Sequence, residues 1–525
     1  MTTNELPMLE TNEKRQAIPN SIGRVAFAAL SVLLQVLWIY GLVARLTEYS
    51  VFLQLLVSLL ALGLVFKIYG DPINSAYKTS WIILILLFPI LGACLYLIFG
   101  RTEATRRLRK NIERSDAVLE PTFSEMKCDQ TALDALRAED AGLANQAAYL
   151  QNWMYSPLWQ NTEVTFYADT CEALEAQKEA LRKAEHFIFM EYHAIEASTA
   201  WQGIEDILAE RAAAGVDVRV FYDDIGSIGF VSPKFVRRLE ARGIQCRMFN
   251  PVLPILSVVM NNRDHRKITV VDGQVGFTGG YNLADEYFNL THPYGQWKDS
   301  GVRLVGDAVQ SLTMIFLEMW GAMQDHPEDP RPYLPPVHTP SAPQGYVLPY
   351  ADSPMDHERV GENVYINLIE NAKRYVWITT PYLILSDEMQ RALTRAVKRG
   401  VDVRIVTPGI PDKKLIFRVT RSYYAGLASY GVRIFEYTPG FLHAKQVLAD
   451  DEVAVVGTIN FDFRSLYLHF ENACWFCRCD AVRDVRKDFE DLFEISHEVT
   501  TQYGTHRNAA LRGLDCLLRM FSPLM

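Results

Sequence analysis

Apolar residues crowd the first hundred positions in long stretches and afterwards recur in short runs separated by polar segments, so the pattern divides the chain before any motif is read. Val25 to Ala44 is largely apolar with Gln35 inside it, Val51 to Phe66 is apolar apart from Gln54 and Ser58, and Trp81 to Phe99 carries no charge. A helix needs about 20 such residues to cross a bilayer, so the first and third stretches are read as spans. The second is short, but Arg45 and Lys67 at its ends can reach the two interfaces. Three passages are expected, with two as the alternative. The first stretch exceeds the roughly 7–15 residues of a signal peptide's apolar run and no small-x-small cleavage site follows it, which favours an uncleaved anchor.

Beyond the third stretch the pattern changes to strand, helix, strand, and it does so twice. His186–Met190 reads as a strand, a helical stretch ends at Ala214-Gly215, and Val216–Tyr222 reads as the next strand; Arg374–Ile378, Arg399-Gly400 and Val401–Val406 repeat that order. Arg242–Phe249 is echoed by Tyr430–Phe435. One module is therefore present twice. Alternating apolar strands and helices predict an α/β fold: N-terminal transmembrane helices, then two homologous halves with mixed sheets flanked by helices and one shared site at the strand ends. The expected division is a tail (1–24), a membrane region (25–100), a basic helical linker (101–160), a first half (161–325), a Pro-rich connector (326–344), a second half (345–505) and an amphipathic tail (506–525) with Leu511, Leu514, Leu518 and Phe521 on one helical face.

Charge and cysteine content narrow the chemistry. A net charge of −10 argues against broad capture of a polyanion such as nucleic acid. Arg101, Arg106, Arg107, Arg109 and Lys110 directly after the third stretch place the soluble region on the cytoplasmic side of the membrane, although Lys14, Arg15, Arg24, Lys67 and Lys78 would lie opposite if there are three spans. Cys474, Cys477 and Cys479 have no second Cys/His pair at zinc spacing and are read as buried strand thiols.

The residues that carry chemistry sit at matching places in the repeats. The first copy holds His265-Arg266-Lys267, then Asp272 and Asn282; the second, 178 positions on, holds His443-Ala444-Lys445, then Asp450 and Asn460. In a strand, side chains at i and i+2 share a face, so each His and Lys project together while Arg266 and Ala444 point away. An imidazole attacks phosphorus, an ammonium neutralises the phosphate oxygens and an Asn amide donates a further hydrogen bond. Two such sets suit two-step exchange of a phosphodiester, one His forming a phosphohistidine and the other acting as acid and then base; no metal or cofactor is required. Asp272 and Asp450 complete the motifs, with bracing of the loops at least as strong a reading as substrate contact.

These paired motifs resemble those of the phospholipase D superfamily. Lys78–Trp81, Phe99–Arg101, Gly276–Gly280, Asn282–Tyr287, Tyr437–His443 and Asn460–Ser465 are similar to bacterial cardiolipin synthases. The resemblance implies transfer of a phosphatidyl group from one phosphatidylglycerol to another, with His265 as nucleophile, His443 as acid/base and Lys267 and Lys445 on the phosphate, although the symmetry of the repeats makes the two His roles reversible. It also implies an acidic partner behind each His, here Asp299 and Glu471, and departs at His469, where Asn is expected. Membrane phospholipids are the implied partners, in an integral membrane setting and without nucleic acid. A hydrolase, a synthase using another lipid donor or acceptor, a nucleic-acid phosphodiesterase and an inactive scaffold are the alternatives; the acidic chain argues against the third and the intact His, Lys and Asn against the last.

Overall fold

The computed structural model describes residues 51–100, 106–127, 130–154, 156–232, 234–251, 261–336, 345–356, 358–504 and 509–524, with scattered positions between 30 and 44. More than half of the expected first span (25–44) and residues 337–344 of the Pro-rich connector lie outside the described residues.

Each repeat folds as a mixed sheet. The strands of the first half are β1 (Thr162–Tyr167), β2 (Phe187–Tyr192), β3 (Asp217–Asp223), β4 (Gln245–Phe249), β5 (Lys267–Val271), β6 (Val275–Gly279), the short β7 (Gln296–Lys298) and β8 (Gly301–Gly306). Those of the second are β9 (Tyr346–Asp352), β10 (Tyr375–Thr379), β11 (Asp402–Pro408), β12 (Arg433–Tyr437), the short β13 (Gly440–Leu442), β14 (Gln446–Ala449), β15 (Val453–Gly457), β16 (Glu471–Cys477) and β17 (Ser496–Glu498). The sheet orders are β1-β8-β6-β5-β2-β3-β4 and β17-β12-β11-β10-β14-β15-β16-β9. In both, three parallel strands (β2-β3-β4 and β10-β11-β12) are followed by an antiparallel hairpin that begins at the His-x-Lys motif. The expected repeat is thus present in the order of the seven shared sheet strands, with β17 added at the edge of the second sheet.

The central strands read as nearly continuous apolar runs because both faces are covered. One core cluster draws on both halves at once, combining Phe189, Ile268, Val270 and Leu304 with Trp377, Leu448, Val456 and Phe476 and with the helices Val309–Ala322 and Asp480–Ile495. Two strand contacts join the halves near the motifs. β7 pairs in parallel with β13, and Asp264 forms an isolated bridge with Phe470. Cys474 and Cys477 are buried in β16 and Cys479 is buried just beyond it.

The membrane region differs from the expectation. Among the described residues no helix is long and apolar enough to cross a membrane. The third apolar stretch, read above as one span, is two helices, Ser75–Leu87 and Pro89–Phe99, broken at Phe88. The cause is Pro89. A proline has no N–H for the preceding turn and forces the residue before it out of the helical region, and Phe88 lies at φ −133°, ψ 76°. The arms fold back on each other, Trp81 meeting Tyr96 edge to face at 5.4 Å, and Gly92 lets them touch, since a Cβ there would lie 2.6 Å from the Leu84 carbonyl. Arms of 13 and 11 residues reach about 20 and 17 Å, against a hydrocarbon core of about 30 Å. The second stretch lies in a helix, Val51–Gly70, packed on both arms. Leu55, Leu56, Leu59, Leu60, Leu87 and Phe88 remain exposed on this helical cluster.

The C-terminal helix Ala509–Phe521 packs rather than projects. Leu518 rests on the second-half core, Arg519 lies over the Tyr423 ring at 4.4 Å, and Ser80 of the hairpin donates to the Met520 carbonyl. The tail therefore ties the hairpin to the second half.

Candidate active site

Both His-x-Lys pairs lie at the start of the hairpin strand of their sheet, and each His is completed by the opposite half. His265 of the first half has Nδ1 2.8 Å from Glu471 Oε2 of the second, while His443 of the second half has Nδ1 2.6 Å from Asp299 Oδ2 of the first. Backbone bonds hold this crossing. His265 N–H donates to the Phe470 carbonyl at 2.8 Å, and His443 N–H donates to the Lys298 carbonyl at 2.7 Å. The Asp264–Phe470 bridge and the β7–β13 pair are the local structures that produce those two contacts. Neither half alone contains a complete imidazole–carboxylate pair.

The carboxylates are themselves held. Asp299 accepts from Ser300 N–H at 2.9 Å and lies against Gly280, where a Cβ would be 2.1 Å from Oδ1. The equivalent position in the second half is Thr458, whose hydroxyl donates to Glu471 Oε2. One repeat thus makes room for its carboxylate with a missing side chain, and the other binds its carboxylate with a hydroxyl. Neutral imidazole donating Nδ1–H to a carboxylate keeps its lone pair on Nε2, the form needed for attack or proton transfer.

Electrostatics favour that form. Burial first, then Lys267 and Lys445, push His265 well below the usual imidazole range. Burial and Lys445 lower His443 to about 4 against the opposing pull of Asp299. Burial pushes the Asp299 carboxyl up, but Lys445 and His443 outweigh it and hold the group below its ordinary value. The lysines are also buried, which lowers Lys267 to about 8 and Lys445 to about 7. Lys267 Nζ donates to its own motif's His265 carbonyl at 2.6 Å, and Lys445 does the same to His443.

The remaining motif residues divide. Asp272 and Asp450 lie at the far ends of β5 and β14, in left-handed conformations (φ 52° and 59°). Asp272 accepts from the backbone N–H groups of Glu185, His186 and Phe187, each at 2.8 Å, and Asp450 from those of Lys373, Arg374 and Tyr375 at 2.6, 2.7 and 2.9 Å. They cap the entry to β2 and β10, away from the His pairs. Asp450→Ala is expected to destabilise the fold by about 3 kcal/mol, through lost charge-assisted bonds and the left-handed backbone, and Asp450→Asn by about 1 kcal/mol. Denaturant melts of the two variants in detergent check this; equal melting would refute the bracing role.

Asn282 accepts from Ala194 N–H at 3.1 Å and donates to Tyr287 OH at 2.8 Å, so its amide fixes the Tyr287 loop. Asn460 Oδ1, by contrast, is buried without a hydrogen-bond partner. Arg266 points away from the site as expected, fully buried, donating to Glu318 at 2.9 Å and to the Glu471 carbonyl at 3.3 Å.

Apart from His469, sequence reasoning did not single out the groups around the two rings. His443 sits among Tyr287, Trp297 and Phe441, with centroids at 5.3, 5.3 and 5.8 Å. His265 sits between two other imidazoles, His193 at 4.9 Å and His469 at 5.6 Å. His193 has Nδ1 2.7 Å from the Asp264 carbonyl. Thr458 and Gly280 were findable by aligning the repeats; His193 had no signal beyond its place after β2.

Comparison with known proteins gives the family. The family described as cardiolipin synthase, phospholipase D-like domain, matches residues 178–320 and 365–493, and the phospholipase D-nuclease N-terminal family matches residues 56–101. A cardiolipin synthase of Halalkalibacterium halodurans is 33% identical over 450 residues, covering 85% of this chain and 88% of its own. One of Geobacillus kaustophilus is 34% identical over 454 residues, covering 86% and 89%. An uncharacterised Streptococcus mutans protein is 41% identical over 465 residues, covering 88% of this chain and all of its own. The structure of phosphatidylserine synthase from Haemophilus influenzae shares the fold, with a TM-score of 0.55 at 14% identity, covering 72% of this chain and 99% of that one. With two motif-bearing halves completing each other's histidines and relatives matched along most of their length, the chain belongs to the cardiolipin synthase family of phospholipase D-like proteins and is a phosphatidyltransferase.

Proposed function

We propose that the protein makes cardiolipin from two molecules of phosphatidylglycerol. The observation that carries this reading is the crossed pair of buried imidazoles, each with its own carboxylate and lysine, in a chain whose relatives carry that name. His265 Nε2 attacks the phosphorus of the first lipid, forming the N–P bond as the P–O bond to glycerol breaks. His443, protonated in that complex, gives its proton to the departing alkoxide. The hydroxyl of the second phosphatidylglycerol then loses its proton to His443 and attacks the phosphohistidine, which releases His265. Lys267 and Lys445 neutralise the phosphate oxygens throughout, and Asp299 and Glu471 stabilise each imidazole when it carries charge. The aromatic wall around His443 favours a lipid alcohol over water as the acceptor.

Attachment to the membrane through the apolar helices of residues 51–99 brings the site to lipid substrates, and the basic flank after Gly100 suits the cytoplasmic face. Asp272, Asp450 and Asn282 support the fold of the site in this scheme, and Asn460 is the amide left for the phosphate.

Mass spectrometry of the detergent-solubilised protein with phosphatidylglycerol tests the reaction. Cardiolipin and glycerol in equal amounts are expected; phosphatidic acid alone would make the protein a hydrolase, and turnover only with another lipid would change the donor. The pH profile is a separate check. Binding an anionic diester requires charged lysines, and Lys445 and Lys267 lose their protons near pH 7 and 8 in the free enzyme. kcat/KM should therefore fall as pH rises through that window, while kcat holds to higher pH because bound phosphate retains the protons. Lys445→Arg should move the falling limb upward; an unmoved limb would remove Lys445 from phosphate binding.

A further inference from the structure

Beside the nucleophile, His469 and Glu471 hold two polar atoms that nothing satisfies. Nδ1 of His469 and Oε1 of Glu471 face each other at 3.6 Å, both buried and neither with a hydrogen-bond partner. Buried polar atoms are nearly always paired, and an orphaned pair of ligand-type atoms marks a place for an ion or water. His265 adds a third, so that one ligating atom from each of His265, His469 and Glu471 lies within 4.8 Å of the other two.

We propose that this trio binds a divalent transition ion of the Zn2+ class and that occupation switches phosphatidyl transfer off. Two imidazole nitrogens and a carboxylate oxygen, with a fourth position left for water, form a donor set suited to zinc, whereas Mg2+ and Ca2+ prefer oxygen alone. Zinc bonds of 2.0–2.1 Å put tetrahedral ligand atoms about 3.3 Å apart. The Glu471 carboxylate lies between the two imidazoles, Oε2 at 2.8 Å from His265 Nδ1 and Oε1 at 3.6 Å from His469 Nδ1, so a small shift of the three side chains brings one oxygen and both nitrogens to that spacing. Arg464 Nε, 3.4 Å from His469 Nε2, has to swing aside, because that nitrogen carries the ring proton once Nδ1 binds the ion.

Inhibition follows from proton placement. A neutral imidazole has one N–H. Glu471 holds it at Nδ1 and leaves the Nε2 lone pair; an ion on Nδ1 moves the proton to Nε2 and removes the lone pair that attacks phosphorus. Lys267 and Lys445 oppose a cation and favour a phosphodiester, so ion and lipid compete. Among the described residues no second His, Cys or carboxylate joins His443 and Asp299 in such a trio, and the ring is flanked by Tyr287 and Trp297. The inhibitory consequence, though not the ion site, rests on the reading of His265 as a catalytic group.

The test uses the full chain in detergent. Co2+ titration should produce the intense visible bands of a tetrahedral ion, displaced by ZnCl2 and absent in His469→Asn. Micromolar ZnCl2 should inhibit cardiolipin formation reversibly, with EDTA restoring it and MgCl2 without effect, and the half-inhibitory concentration should rise at least tenfold in His469→Asn. His469→Gln replaces that variant if a thermal melt shows it unfolded. No cobalt bands in the unmutated protein, or equal zinc sensitivity in the variant, overturns the site. Bands without inhibition overturn the switch. The cobalt titration needs no lipid, so it reads the site even if the proposed reaction fails.

Discussion

His265→Ala is expected to lower cardiolipin formation by roughly 10^4-fold or more, and His443→Ala by a comparable factor, while the two fail at different steps. The distinction can be read with a phosphatidyl donor whose leaving group is p-nitrophenolate. That group departs without a proton, so the first step no longer needs His443. His443→Ala should then release a burst of nitrophenolate of about one equivalent and retain a phosphatidyl group on the protein, located at His265 by peptide mass spectrometry. His265→Ala should give neither. The reverse pattern would exchange the roles of the two histidines, and a burst from both variants would remove the covalent intermediate. The asymmetric surroundings support the order proposed. His443 lies in an aromatic wall suited to shielding proton transfer from water, whereas His265 lies between the imidazoles of His193 and His469; lysines approach both rings.

The halves and their strands were legible because short apolar runs between polar segments and a 178-residue repeat can be read directly from the text. His and Lys two apart on a strand had to share a face, and they do. The crossing of the carboxylates was not legible, because pairing of β7 with β13 and of Asp264 with Phe470 joins segments more than 140 residues apart and leaves no periodic trace. Asn282 illustrates a different limit. Its position matched Asn460, but Tyr287 and Ala194 use its amide, and only the fold shows which of two equivalent amides is free of such duties. In the membrane region the length of the apolar run outweighed Pro89, although the proline and the residue before it were in plain view. A run long enough to span becomes two shorter helices when one backbone N–H in its middle is missing and the arms find each other through Gly92. His469 was visible as a departure, but its significance depends on the orphaned Glu471 oxygen beside it.

Asp299→Asn and Glu471→Gln are expected to lower kcat by about 10^2- to 10^4-fold each with little change in thermal midpoint. Both replacements keep shape and remove charge. In Asp299→Asn the Oδ1 atom can still accept from Ser300 N–H, so the amide nitrogen faces His443 Nδ1 and donates to it. That bond requires an unprotonated Nδ1 and puts the ring proton on Nε2, the wrong tautomer for deprotonating the incoming alcohol. It also leaves the imidazolium without a counter-charge beside Lys445. Glu471→Gln removes the counter-charge of the His265 imidazolium from the other half, whichever amide atom meets Nδ1, because the Thr458 hydroxyl can donate to the oxygen or accept from the nitrogen. Because both imidazoles must act in one reaction cycle, the double variant should be little slower than the worse single one. Steady-state rates of the two single variants and the double variant, run beside their melts, decide the matter. Rates within tenfold of the unmutated protein would mean the carboxylates only pack, and effects that multiply in the double variant would mean the two imidazole–carboxylate pairs do not work as one unit.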